Sequence, residues 1–205
     1  MSEIDELLNK SCPDDIKYVP LGRICHRQKG ISITAAQMKI LNKENGAIKI
    51  FAGGNTVAFV NYGDIPNENV ITKESIIVKS RGKIGFDYYN GPFSHKNEMW
   101  SYSCDNEQIS LKFIYYYLNA HTEDFQKVAM TGKLPQISIP VTENYPVPVP
   151  PIEVQNRIVE ILDRLTTLET ELEAELKAEL EARKKQYEYY RDKLLTFRRK
   201  EETSP

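Results

Sequence analysis

The sequence predicts an α+β protein: a curled, mostly antiparallel β domain with short helices, followed by one long C-terminal α-helix that forms an antiparallel coiled coil. Three observations predict it. Short strand-like runs separated by glycine turns fill the first part of the chain. Four prolines then fall between Tyr145 and Pro151, a stiff extended segment. From Ile158 to Phe197 neither Gly nor Pro occurs, so nothing in the backbone interrupts a helix. At 205 residues and 40% apolar content the chain can bury one core and carry one helical extension. The expected division is a globular domain over 1–150, a helix over 151–200 and a disordered tail over 201–205.

The first eleven residues are polar and read as frayed chain or a short helix. Residues 16–24 alternate weakly and read as an opening strand, with Leu21-Gly22 marking a turn. A polar loop around Gln28-Lys29-Gly30 leads to Thr34, the N-cap of a short helix. Strand-like runs follow at 47–51, 57–60, 75–79, 84–88 and 99–103. Asn45-Gly46, Gly53-Gly54-Asn55, Tyr62-Gly63-Asp64, Arg81-Gly82-Lys83 and Asn90-Gly91-Pro92 punctuate them. Ser110 caps an apolar helix over 111–118 that lies on the sheet. Its three consecutive tyrosines, Tyr115 to Tyr117, point in different directions, so core packing explains them better than a stacking platform. A second helix over 122–130, a loop to Gln136 and a last strand complete the domain. The proline segment then joins domain to helix at a fixed angle rather than as a loose tether.

The helix opens with Pro151-Ile152-Glu153, a rigid proline followed by an acidic first turn. Its apolar stripe is Ile161, Leu165, Leu168, Leu172, Leu176, Leu180, Tyr187, Tyr190 and Leu194, with Arg183 in the one slot not filled by an apolar residue. The spacing averages about 3.7 residues, nearer an eleven- than a seven-residue repeat, which predicts little supercoil. A stripe this long and narrow needs a partner helix. Nine acids against three bases occupy 153–181, whereas bases dominate from Arg183 onward. Each half suits the helix macrodipole, so part of the pattern needs no partner. Parallel copies would set like charge on like, while antiparallel copies match acid to base along the length. Within the helix, Glu171-Leu172-Glu173-Ala174 recurs twice more with small changes, through Ala178 and Ala182.

Composition limits the chemistry. Net charge is −2, with 16 basic and 16 acidic residues in the first 152 positions, so bulk charge does not support nucleic-acid binding and local patches must carry it. Cys12, Cys25 and Cys104 have no metal-ligand spacing, and His26, His95 and His121 are scattered among them. Reduced, mostly buried thiols are the better reading. No motif promotes a hydrolase built on Cys25, Cys104 and His95. No phosphate-binding G-x-x-x-x-G-K-[ST] loop and no strand-linked G-x-G-x-x-G occurs. Glu175-Leu176-Lys177 has the Glu-x-Lys form of a nuclease motif, yet helical charge patterning explains it. No run of about 18 apolar residues is present and the N-terminus is acidic, which predicts a cytoplasmic protein.

The order of elements resembles one half of a Type I restriction–modification specificity subunit. The residues that carry the resemblance are Tyr18-Val19-Pro20-Leu21-Gly22, Gly53-Gly54-Asn55, Ser80-Arg81-Gly82-Lys83-Ile84-Gly85 and Phe113-Ile114-Tyr115-Tyr116-Tyr117-Leu118. Further on they are Gly132-Lys133-Leu134-Pro135-Gln136-Ile137, the stretch from Val149-Pro150-Pro151 to Ile158-Val159, and the tyrosine-rich box from Arg183 to Leu195. The proline-to-helix junction and the final box are the most specific. The resemblance implies a DNA target recognition domain over 1–150 and a spacer helix over 151–200. It also implies no catalysis by this chain alone and no cofactor in it: S-adenosylmethionine belongs to a partner methyltransferase subunit, ATP and magnesium to a nuclease/translocase subunit. Implied partners are double-stranded DNA, those two subunits and a second copy of the chain. Such subunits typically carry two recognition domains and two helices, and here there is one of each. The chain is therefore either a half-subunit that pairs with itself or a fragment of a longer one.

Reading a groove needs loops whose backbone can come close, carrying planar donors for base edges and cations for phosphates. Ser80-Arg81-Gly82-Lys83 fits best: Gly82 permits approach, Arg81 can fork onto a guanine and Lys83 suits a phosphate. An ordinary charged hairpin turn would contain the same residues. Lys133 and Gln136 belong to a loop of similar make-up, which equally well braces the domain against the helix. Asn55, Thr56, His95 and Lys96 are weaker candidates because polar turns are expected anyway. A coiled-coil adaptor without DNA recognition is the alternative that the residues alone leave open.

Overall fold

The computed structural model describes residues 16–129 and 134–197. In chain order the elements are β1 (Tyr18–Pro20), α1 (Leu21–Ile24), β2 (His26–Lys29), α2 (Ala35–Leu41), β3 (Ile48–Phe51), β4 (Val57–Val60) and a 3₁₀ turn (Asn67–Asn69). Then follow β5 (Ser75–Lys79), β6 (Gly85–Tyr89), β7 (Phe93–His95), β8 (Trp100–Ser103), α3 (Leu111–Ala120), α4 (Thr122–Lys127), α5 (Ile139–Glu143), β9 (Pro146–Pro148) and α6 (Ile152–Leu195). The fold class is the α+β arrangement the sequence predicts, but the strands form three small open sheets rather than one curled sheet. Their orders are β2-β8-β5-β6, β4-β3-β7 and β1-β9. Every pairing is antiparallel except β3 with β7.

β5 lies inside the domain because its residues are apolar on both faces. Ile76 and Val78 join Phe86, Trp100 and Tyr102 in a core covered by Leu111, Ile114 and Leu118 of α3 and Phe125 of α4. Ile77, on the opposite face, packs with Phe51, Phe93 and Met99 against the three-stranded sheet. Such a run cannot alternate polar with apolar, since neither face meets water. A third cluster, Ile48, Ile50, Ala58 and Val60 with Met38 of α2, lies on that sheet's other side. Thr34 caps α2 through a full capping box with Gln37, as its position in the sequence predicts. Thr142 Oγ1 accepts from Trp100 Nε1 at 3.1 Å and bonds the Tyr102 hydroxyl at 2.8 Å, which pins α5 onto β8.

Four expectations change. The opening strand is only β1, because a helical turn, α1, buries Leu21. The polar loop near Gln28 is strand β2, paired with β8 from His26↔Ser103 to Lys29↔Trp100. The last strand is helix α5, begun by a proline in its first turn. The proline segment contains β9, whose Pro146 and Pro148 face Pro20 and Tyr18 of β1. Prolines fit there because the flanking amides carry the pairing: Leu21 N donates to Tyr145 O at 3.0 Å and Val149 N to Lys17 O at 2.9 Å.

The chain divides into two compact units, one ending at Val159 and one beginning at Glu160. The first unit runs past the expected boundary at 150 because Val154 and Gln155 are buried and Ile158 and Val159 pack on the main core. Gln155 is held on both sides. Its Nε2 donates to Pro150 O at 2.7 Å and to Gln108 O at 3.1 Å, and its Oε1 accepts from Ser110 N at 2.8 Å. α6 itself has 44 residues, roughly 66 Å of helix at about 1.5 Å per residue. The expected tail, 201–205, lies outside the described residues.

Candidate nucleic-acid interface

Two turns and one returning segment make the candidate surface. The β3–β4 turn is closed by Ala52 N donating to Thr56 O at 2.9 Å and carries Gly53, Gly54, Asn55 and Thr56, all exposed. The β5–β6 connection carries Ser80 to Lys83. Its Gly82 has φ +77°, the left-handed region that an L side chain would strain. That conformation turns the backbone so that Gly82 N donates to Pro135 O at 2.9 Å, while Ile137 N donates to Ser80 O at 3.0 Å. Arg81 and Gln136 are thereby held opposite each other in an antiparallel bridge. The sequence offers these as two separate loops; the fold makes them one.

Gly53 and Gly54 share a small gap with Ser80, Arg81 and Glu98. Beside it, Gly54 and Asn55 share an open cleft of about 280 Å³ with Lys83 and the Lys79–Asp87 ion pair, whose charges lie 2.8 Å apart. Three further polar residues line the cleft from the corner between α3 and α4: Asn119, Thr122 and Gln126. Sequence reasoning misses them. The helices read as cover for a core, and the only signal is the polar break Asn119-Ala120-His121-Thr122. Among the described residues no carboxylate pairs with Arg81 or Lys83, so both cations are available to a ligand's negative charge.

Other predicted site residues stand apart. Lys96 is half-buried and ion-paired to Glu98 at 2.8 Å. His95 is 0% exposed and cannot offer its ring to a duplex. It sits in β7, paired alongside β3, with Nε2 3.1 Å from Ser101 Oγ and Nδ1 3.2 Å from Lys96 O. Burial pushes its pKa below the ordinary histidine value and so favours the neutral ring. Lys133 lies outside the described residues. The thiols give no catalytic pairing with His95: Cys25 and Cys104 are free, Cys25 is buried in the core, Cys104 Sγ donates to Ile24 O at 3.0 Å, and the His95 ring bonds Ser101 and Lys96 O instead. Among the described residues no group of three or more His, Cys, Asp or Glu side chains is placed to hold a metal ion, and no helix is long and apolar enough to cross a membrane.

The stripe on α6 is uncovered in the single chain. Ile161 is half-buried, and from Leu165 to Leu194 the stripe residues are between 51% and 73% exposed. One i,i+4 ion pair, Glu179 to Arg183 at 2.8 Å, lies at the point where the charge changes from acid to base.

Residues 13–182 match the family model described as the Type I restriction modification DNA specificity domain. The chain belongs to that family. It is 39% identical over 101 residues to the Escherichia coli Type I restriction enzyme EcoR124I/EcoR124II specificity subunit, covering 48% of this chain and 25% of that one. To the Escherichia coli EcoprrI specificity subunit it is 27% identical over 227 residues, covering 98% of this chain and 55% of that one. It therefore spans from a quarter to about half the length of these relatives. A solved chain from work on complex assembly and conformational transition of the type I R-M system has the same fold, with TM-score 0.64 and 21% identity over 86% of this chain and 44% of that one.

Proposed function

We propose that this chain is a DNA-reading, non-catalytic specificity subunit of a Type I restriction–modification complex, contributing one recognition domain and one spacer helix. The first unit reads one half-site. α6 pairs antiparallel with α6 of a second copy, so a two-fold dimer presents two recognition domains to inverted half-sites separated by a non-specific spacer. A methyltransferase subunit supplies S-adenosylmethionine chemistry, and a nuclease/translocase subunit supplies ATP- and magnesium-dependent work. The observation that carries the reading is the convergence of the Gly54, Gly82 and Gln136 segments around Arg81 and Lys83, which no carboxylate pairs among the described residues. Membership of the DNA specificity family and the uncovered stripe on α6 support it.

Methylation mapping on a duplex library, with the methyltransferase subunit of the same system present, tests it. The expected product is one bipartite, inverted target. Arg81→Ala changes which sequence is methylated, whereas Lys83→Ala weakens all sequences together. No selective retention of DNA in that mixture refutes the reading and leaves a coiled-coil adaptor.

A further inference from the structure

The α3–α4 corner adds polar side chains on helical backbone to a cleft whose other polar groups sit on turns. Asn119 near the end of α3 and Thr122 and Gln126 of α4 line one cleft across the junction of the two helices. Burial of Leu118 and Phe125 in the core turns these side chains toward the cleft. Thr122 Oγ1 donates back to Asn119 O at 2.8 Å, tying the start of α4 to the end of α3, and Asn119 Nδ2 donates to Tyr115 O at 3.2 Å within α3, so both are braced by backbone carbonyls. Gln126 differs: it is exposed, and among the described residues its amide has no partner. Across the cleft stands Asn55, also exposed, with Lys83 beside it.

A primary amide offers one donor and one acceptor side by side, which matches the N6 amino group and N7 of adenine in the major groove. An arginine or lysine matches guanine or phosphate instead. The loops therefore supply the cations along with the amides of Asn55 and Gln136, and the helix corner adds an amide carried on helical backbone. We propose that Gln126 is a specificity-determining residue that reads an adenine of the half-site, with Asn119 and Thr122 shaping the cleft beside it. This rests on the DNA-reading function proposed above. The fold favours it because Gln126 projects from a helix anchored by buried Phe125, whereas a residue on a loose turn would hold a planar contact poorly.

The test compares wild type, Gln126→Ala, Gln126→Glu and Lys83→Ala as full chains with the methyltransferase subunit of the same system, selecting targets from a randomised duplex library. Gln126→Ala should lose preference for adenine at one position of each half-site by roughly ten-fold, with affinity for random duplex unchanged. Gln126→Glu, which keeps shape but lacks the donor, should disfavour adenine at that same position. Lys83→Ala should weaken every sequence and lower the salt slope by about one. An unchanged base profile in both Gln126 variants, with Lys83→Ala weakened, overturns the inference and leaves the DNA-reading function standing. A uniform loss of affinity in Gln126→Ala also overturns it, since that marks a phosphate contact. If wild type selects no sequence, the function itself fails and the inference with it.

Discussion

Replacing Gln155 by leucine should destabilise the first unit more than its single, chemically quiet side chain suggests. Leucine nearly preserves volume but cannot bond, so Pro150 O, Gln108 O and Ser110 N each lose a partner. The Pro150 contact is buried and the other two are part-buried, so the fully buried penalty applies to one and a reduced one to two. With about 1–3 kcal/mol for each buried polar group left unmade, the total is about 3–5 kcal/mol. Trp100 is the chain's single tryptophan and is buried in the same core, so its fluorescence reports this unit during urea unfolding. For a urea dependence of about 2 kcal/mol per molar, the midpoint should fall by roughly 1.5–2.5 M. A fall below about 0.5 M would show that water replaces the lost bonds and that Gln155 is not what holds the first turns of α6 on the domain. The double change Gln155→Leu with Ser110→Pro, which removes the orphaned donor, should cost less than the sum if the accounting is right.

Three further outcomes follow from other parts of the molecule. Reversing Lys184 and Lys185 to glutamate should weaken the proposed dimer by placing acid against the partner's acidic half, and light scattering should show the effect shrinking in high salt. Inserting one further Glu-Leu-Glu-Ala unit into α6 adds about 6 Å, and at about 3.4 Å per base pair the spacer between half-sites should lengthen by one or two pairs. The half-sites themselves should be unchanged; an unchanged spacer in methylation mapping would show that α6 does not set the distance. His95 has a folded pKa below its ordinary value of 6.5, so its contribution is complete above about pH 6.5 and is lost as pH falls toward the folded pKa. Urea midpoints at pH 7.5 and 5.5 should therefore differ less in His95→Gln than in wild type, and equal differences would contradict the burial argument.

The elements legible in the sequence are those whose signal is local. α6 is announced by Pro151, Glu153 and an uninterrupted run of strong helix formers, and the structure carries it through Leu195. Thr34 and Ser110 stand where they cap α2 and α3. β5 declares itself by the β-branched run Ile76-Ile77-Val78. The elements that needed the tertiary structure have no such signal. β2 is polar and mostly exposed, and it is a strand only because β8 supplies its hydrogen bonds. β7 has three residues and pairs in parallel with β3, a partner distant in the chain. That same pairing buries His95, which by composition belongs to a polar turn. In the candidate site the residue types Arg81, Lys83 and Gln136 are readable as DNA chemistry, but their meeting depends on the backbone bridge between Arg81 and Gln136. Gln126 is invisible one residue at a time, because a glutamine on a short helix becomes part of a cleft only when Phe125 beside it is buried. Local backbone and capping preferences act over a few residues and are written in the chain; pairing and burial depend on what the rest of the chain brings alongside, and only the folded structure decides that.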